Sequence, residues 1–358
     1  MIRMKSQQWQ GILKACCVVA LGFIALCKAG LPAAGAETPR PNIVIILVDD
    51  MGFSDVGCYG GEIETPHIDR LASNGLRFTQ FYNSGRCCPT RASLLTGLHP
   101  HQVGIGHMTE PPNGPLGFEG AYQGFLNDNC ATLAEVLGKA DYHTLMAGKW
   151  HVGLHRKSNW PLQRGFDRYY GCLSGACNYF KPGGDRGITF GNDPVKTDEQ
   201  FYATDTFTDY ACRFVREAVE QDDRPFFLYL AYNAPHWPLN SKWEDFQKYR
   251  GKYRQGWPAL MKSRLAKQKR LGLFPDTIVP APHVGPRWQS LSEKKRDDLD
   301  AIMAAYAGCI DSIDQNIGKL TKCLKETKQL DNTVIFFLSD NGACQEGGRL
   351  GQGSEQMV

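Results

Sequence analysis

The strongest constraint on the fold is a short aliphatic run, Ile43-Val44-Ile45-Ile46-Leu47-Val48, preceded by Asn42 and ending on two acids, Asp49 and Asp50. A strand with one face in water alternates apolar and polar side chains. A run without that alternation needs cover on both faces, the condition of a parallel or mixed sheet layered between helices. Three further stretches repeat the pattern of an apolar strand closing on polar residues. They are Thr144–Ala147 before Gly148-Lys149-Trp150-His151, Phe226–Tyr232 before Asn233, and Thr333–Leu338 before Asp340-Asn341. Between the last two strands a long helix is predicted from about Lys294 to Thr327, with Leu299, Ile302, Met303, Tyr306, Ile310, Ile313, Ile317 and Leu320 at helical spacing. A shorter helix is expected after Thr65, with Thr65 as cap, Pro66 in the first turn, Ile68, Leu71 and Ala72 as its stripe, and Gly75 beyond its end. The alternation predicts an α/β protein: a central mixed, mostly parallel sheet sandwiched by helices. Ligands of such sheets sit outside the carboxyl ends of the strands. The charged groups after Val48, Ala147, Tyr232 and Leu338 are therefore expected on one rim. Segments 108–129 and 181–200, rich in Gly, Pro and Asn, read as long loops over it.

The first 36 residues read as an export signal: Arg3, Lys5 and Lys14 precede an apolar run from Ala15 to Leu26 that is short for a membrane span, and Ala34-Gly35-Ala36 offers a small-residue cleavage site. Their removal takes away four basic residues and no acids, so 40 lysines and arginines against 37 acids become 36 against 37. The nearly neutral remainder has no basic stripe with interleaved aromatics, which excludes a nucleic-acid binder. The expected location is secreted or periplasmic, with no stable membrane span. Thirteen cysteines include three in the signal, leaving ten. An oxidising compartment permits disulfides, and their connectivity stays open.

The most specific string is Arg86-Cys87-Cys88-Pro89-Thr90-Arg91-Ala92-Ser93-Leu94-Leu95-Thr96-Gly97. Pro89 can open a helix whose unpaired backbone donors attract an anion. A hard cation wants several oxygen ligands, and Asp49-Asp50 and Asp340-Asn341 offer them at two strand ends.

Cys87-x-Pro89-x-Arg91 followed by Thr96-Gly97 resembles the signature of the sulfatases. Asp49-Asp50, Gly148-Lys149-Trp150-His151, Asn233-Ala234-Pro235-His236-Trp237-Pro238 and Asp340-Asn341 resemble further family elements, in family order. The resemblance runs from about Pro41 to Gly342 and includes Thr65-Pro66-His67-Ile68-Asp69. It implies an alkaline phosphatase-like fold over residues 37–358 and hydrolysis of sulfate esters, whether aryl sulfates or sulfated carbohydrates. Cys87 is then oxidised to formylglycine by a formylglycine-generating enzyme. The hydrated aldehyde attacks sulfur with one hydroxyl, and loss of the other hydroxyl's proton re-forms the carbonyl and expels sulfate. The cation is bound by Asp49, Asp50, Cys87, Asp340 and Asn341, and the resemblance favours Ca2+ over Mg2+.

Arg91 is expected to hold the diol and offset negative charge. Lys149 holds sulfate and the nucleophile's oxygen, His151 takes the second hydroxyl's proton, and His236, together with Asp340, serves the departing oxygen. His67, His99, His101, His107, His143 and His155 match no family element. The family also carries a sulfate-binding lysine downstream of the Asp-Asn pair and a small C-terminal subdomain. No lysine follows Asn341 here, so the expectation is a catalytic domain truncated at its C-terminus and weak in turnover, unless Arg349 substitutes. Two other readings are a phosphodiester or phosphonate monoester hydrolase on the same scaffold and a non-catalytic fragment that binds sulfated glycans.

Overall fold

The aliphatic run forms β1 (Asn42–Val48), and its alternate side chains do go to two different cores. Val44, Ile46 and Val48 join one buried cluster, while Ile45 and Leu47 join another on the opposite face of the sheet. That is why no polar residue interrupts the run: each fully buried branched side chain contributes roughly 1.5–3 kcal/mol, and neither face offers water. This is a computed structural model describing residues 40–109, 120–282, 285–343 and 350. The expected export signal and the stretch in which a downstream lysine or Arg349 was sought lie outside the described residues.

Along the chain follow α1 (Pro66–Ser73), α2 (Cys87–Thr96), α3 (Leu133–Lys139), β2 (His143–Gly148), β3 (Arg168–Gly171), β4 (Ile188–Phe190) and β5 (Asp193–Val195). Then come α4 (Ala203–Gln221), β6 (Phe226–Ala231), α5 (Trp243–Tyr249), α6 (Trp257–Arg270), α7 (Glu293–Glu326) and β7 (Thr333–Ser339). The sheet has seven strands in the order β5-β4-β3-β2-β6-β1-β7. From β3 to β7 every neighbouring pair is parallel, and β4 and β5 are antiparallel additions. One face packs against α4 and α7, through residues such as Phe207, Phe214, Ile310, Ile313 and Ile317. The other packs against α2 and α3, through Cys88, Ala92, Leu95 and Ala134. Among the described residues no helix is long and apolar enough to cross a membrane.

Three expectations need correction. Segment 181–200 is not wholly loop: Ile188-Thr189-Phe190 and Asp193-Pro194-Val195 make a hairpin that extends the sheet beyond β3. Its strands have three residues each, too few for a period-two pattern to stand out, and Pro194 fits an edge strand. Thr65 does not cap α1 with its side chain. The free amides of His67 and Ile68 instead donate to Asp314 of α7, at 3.2 and 2.8 Å, so a long-range carboxylate does the capping. That helix closes with Asn74 as its C-cap, so Gly75 lies beyond its end as expected. Finally, Cys58, Cys87, Cys88, Cys130, Cys172, Cys177, Cys212, Cys309 and Cys323 all carry free thiols, most of them packed as small apolar side chains.

Candidate active site

Four adjacent parallel strands in the order β2-β6-β1-β7 end on the same edge of the sheet. Their spacing of about 4.8 Å sets the next residues side by side. Lys149 follows β2, Asn233–His236 follows β6, Asp49 and Asp50 follow β1, and Asp340 follows β7. Val48 pairs in register with Ser339, so the two acidic turns leave the sheet together. Backbone hydrogen bonds continue past the strands, from Asp49 N to the Ala234 carbonyl (3.0 Å), Lys149 N to Ala231 (2.7 Å) and Asp340 N to Val48 (3.1 Å).

Asp49, Asp50 and Asp340 are buried, and each offers one carboxylate oxygen within 4.8 Å of the others. Like charges at this separation repel strongly in a dry site, so compensation is required. Two fully buried cations provide part of it. Lys149 Nζ donates to Asp49 Oδ2 at 2.6 Å. Arg91 donates to Asp340 Oδ2 from Nε (3.1 Å) and a terminal nitrogen (2.8 Å), lies 3.3 Å from Asp49 Oδ1, and donates to the Lys149 carbonyl at 3.1 Å. Burial works against the charge on both cations, and the carboxylates outweigh it: Asp49 for Lys149 and Asp340 for Arg91. Both stay above their usual values.

Burial and then the charge of Asp49 push Asp340 up to about 7, while Arg91 and Lys149 pull the other way. Burial raises Asp50 as well, partly offset by His236. Asp49 Oδ1 and Asp50 Oδ2 are buried without a hydrogen-bond donor, although Arg91 and His236 stand within ion-pair distance of them. Three hard oxygen donors, two of the atoms unsatisfied, fit a divalent cation such as Ca2+ or Mg2+. Asn341 adjoins through its amide nitrogen, which donates to Asp50 Oδ1; as a ligand it has to present its oxygen.

Cys87 is the first residue of α2, whose N-cap Arg86 is extended. Pro89 is the third helical residue rather than the first, still within the turn where an amide lacks an intrahelical acceptor. The Cys87 thiol stands outside the carboxylate cluster. A hydrogen bond with Cys88, and then Lys149 and His151, hold it well below the ordinary thiol range against the effect of burial. Burial, and then Lys149, hold His151 neutral, at about 4, and its buried Nδ1 has no hydrogen-bond partner. The result is a base aimed at the residue-87 side chain and free to accept a proton.

The structure therefore brings Asp49, Asp50, Cys87, Arg91, Lys149, His151, His236, Asp340 and Asn341 to one rim. The carboxylate facing His236 is that of Asp50, with Nε2 to Oδ2 at 3.5 Å, where the sequence reading paired it with Asp340. Several features had no sequence signal. Asp50 and His151 adopt left-handed backbone, with φ of 67° and 57°, uncommon for residues with a Cβ and typical of functional turns. Tyr179, in a loop without a motif, places its hydroxyl 2.7 Å from the His236 carbonyl and 3.0 Å from that of Asn233. Ser339 Oγ accepts from Met51 N at 3.1 Å and donates to the Asn341 carbonyl at 2.8 Å, tying the two acidic turns together.

The family described as Sulfatase matches residues 41–357. An uncharacterized sulfatase of Schizosaccharomyces pombe is 39% identical over 86% of this chain and 58% of its own length. An arylsulfatase of Klebsiella aerogenes is 34% identical over 87% of this chain and 68% of its own, and the human N-acetylgalactosamine-6-sulfatase is 31% identical over 88% and 52%. The chain thus spans about half to two thirds of the length of these relatives. Among solved structures, Ps i-CgsB in complex with k-i-k-neocarrahexaose is 31% identical with a TM-score of 0.62, covering 85% of this chain and 59% of that one. The phosphonate monoester hydrolase of Agrobacterium radiobacter, 20% identical with a TM-score of 0.53 over 88% and 64%, shares the fold. The mixed sheet between two helical layers is the alkaline phosphatase-like fold of sulfatases.

Proposed function

The chain belongs to the sulfatase family, and from that premise we propose that it hydrolyses sulfate esters at the rim described above, through a formylglycine made from Cys87 and a divalent cation held by Asp49, Asp50, Asp340 and Asn341. The observation that carries this reading is the buried acid triad paired with the buried cations Arg91 and Lys149, beside a cysteine that opens a helix and faces a neutral histidine. With all three carboxylates ionised, as a bound divalent cation favours, the triad and the two permanent cations carry one net negative charge, which the ion converts to one net positive. That balance suits a sulfate ester, which carries a single negative charge. A phosphate monoester brings a charge of about −1.5 to −2 at neutral pH and leaves the site negative.

When bound, Ca2+, or Mg2+ as the alternative, polarises the ester's sulfate oxygen and eases loss of the nucleophile's proton. Formylglycine supplies a hydrated aldehyde with one hydroxyl to attack sulfur and a second to expel sulfate afterwards. The chain's own residues do the rest. The backbone amides of the first turn of α2 and the Lys149 ammonium orient the sulfate group. Arg91 fixes the carboxylates of Asp49 and Asp340 in place through its ion pairs with both. His151 accepts the proton of the second hydroxyl at its neutral imidazole, and His236 protonates or stabilises the departing ester oxygen while Asp50 orients its ring.

We favour a sulfated carbohydrate as natural substrate, because relatives at about 31% identity include N-acetylgalactosamine-6-sulfatase and a protein solved with neocarrahexaose. Residues 1–36 then act as an export signal for a secreted or periplasmic enzyme, and a formylglycine-generating enzyme is the partner in maturation. The test is production in a host with a formylglycine-generating system, followed by mass spectrometry of the Cys87 peptide and turnover of matched aryl sulfate, aryl phosphate and phosphonate esters. Conversion of the Cys87 side chain from –CH2SH to the aldehyde –CHO, with Cys88 unmodified and preference for the sulfate ester, is the expected result. Active protein with Cys87 unmodified, or faster turnover of the phosphonate, overturns the reading.

A further inference from the structure

The left-handed turn at Asp50 is held from behind by groups that bond to its backbone rather than to the carboxylates of the triad. Gly52 N donates to Asp55 Oδ2 at 2.8 Å and lies 3.2 Å from the Tyr306 hydroxyl. That hydroxyl, buried within α7, donates to the same Asp55 oxygen at 2.6 Å and sits 3.4 Å from the Asp50 carbonyl. The other oxygen of Asp55 accepts from Arg264 of α6 at 2.5 Å, and Arg264 is itself gripped by Glu62 at 2.6 and 2.8 Å. Both oxygens of Asp55 are thus occupied and its orientation is fixed by three separate segments. Residue 52 has to be glycine for this: a Cβ there would stand 2.6 Å from Asp55 Oδ2.

We propose that Asp55 and Tyr306 are positioning residues for cation binding, holding the strained Asp50 turn so that its carboxylate is aimed at Asp49 and Asp340 before any ion arrives. Left to itself, a non-glycine residue at φ 67° relaxes toward ordinary backbone, and relaxation here moves one acid away from two others that repel it. Tyr306 opposes this by closing the turn from the buried side, and Asp55 opposes it by fixing both Tyr306 and Gly52. The inference rests on the cation site of the proposed function and concerns residues outside it.

The experiment is calorimetric titration of Ca2+ into chelator-treated full-length protein, alongside thermal melting in chelator, for wild type, Tyr306→Phe and Asp55→Asn. Outer groups that orient metal ligands typically cost about tenfold to a hundredfold in affinity when removed. Tyr306→Phe is therefore expected to bind Ca2+ roughly tenfold more weakly while retaining a cooperative melt. Asp55→Asn keeps the side-chain shape, loses the charge toward Arg264, and weakens Ca2+ in the same direction. Lower melting temperatures with unchanged Ca2+ affinity would show a purely structural role and overturn the proposal, as would loss of cooperative melting in both variants. Wild type that takes up no Ca2+ would sink the cation site itself, an outcome distinct from equal binding by wild type and Tyr306→Phe, which sinks only the positioning role.

Discussion

Arg91→Met should destabilise the metal-free protein severely and the calcium-loaded protein much less. Arg91 has no solvent exposure, and its guanidinium makes two hydrogen bonds to Asp340 Oδ2, one to the Lys149 carbonyl, and an ion pair of 3.3 Å with Asp49. Methionine fills much of the aliphatic volume and supplies none of these. Among the described residues the loss leaves Lys149 as the permanent buried cation paired with the triad. Removing one partner of a buried ion pair typically costs about 3–5 kcal/mol. At about 2 °C per kcal/mol for a large domain, melting in chelator should fall by roughly 6–10 °C. Saturating calcium stabilises both folded proteins, and because it supplies the positive charge that Arg91→Met lacks, the variant should gain more from it than wild type does and the gap in melting temperature should narrow. The assay is thermal melting of both proteins in chelator and in excess calcium. Arg91→Met melting within about 2 °C of wild type in chelator would refute the role given to Arg91, since the triad would then not need it.

Three other outcomes follow from the same geometry. Chelation should abolish sulfate-ester turnover and calcium restore it, with Asp340→Asn weakening calcium binding; activity unchanged in thoroughly chelated protein would sink the acid triad as a cation site. His151 is held at about 4 in the folded protein, so between that value and about 6.5 the unfolded chain binds more protons. Its stabilising contribution is complete above about 6.5 and is lost as pH falls toward 4, an effect of about 3 kcal/mol, so urea unfolding should show His151→Asn gaining on wild type over that window. A pH-independent difference would contradict a buried neutral imidazole. Gly148→Ala should lose about 3 kcal/mol or more, because φ is 110° and a Cβ would stand 1.9 Å from the Ala231 carbonyl oxygen of the neighbouring strand. Normal expression and melting of that variant would mean that β2 and β6 approach less closely than described.

Much of the fold was legible because its signals are local. An unbroken apolar run reads as a strand whatever covers it, so β1, β2, β6 and β7 were visible, although β7 at the sheet edge leaves Val334 and Phe336 exposed, and the 34-residue α7 was visible from its stripe. The candidate site residues were legible for a related reason: each follows directly from a strand or opens a helix, so finding the strand end finds the residue. Strand order was not, since it depends on which runs pair, and neither was the hairpin of β4 and β5, whose strands are too short to show a period. The capping of α1 by Asp314, the gripping of Asp55 by Arg264 and Tyr306, and the facing of His236 by Asp50 each join residues more than 180 positions apart. No short window contains both partners of such a contact. The sequence by itself determined which side chains stand at the ends of the strands. Tertiary structure decided their electrostatic states, because those depend on burial and on the distances between charges carried by four different strands and a helix. It alone placed Asp50 and His151 in left-handed turns, where distant packing outweighs the local preference of a residue with a Cβ.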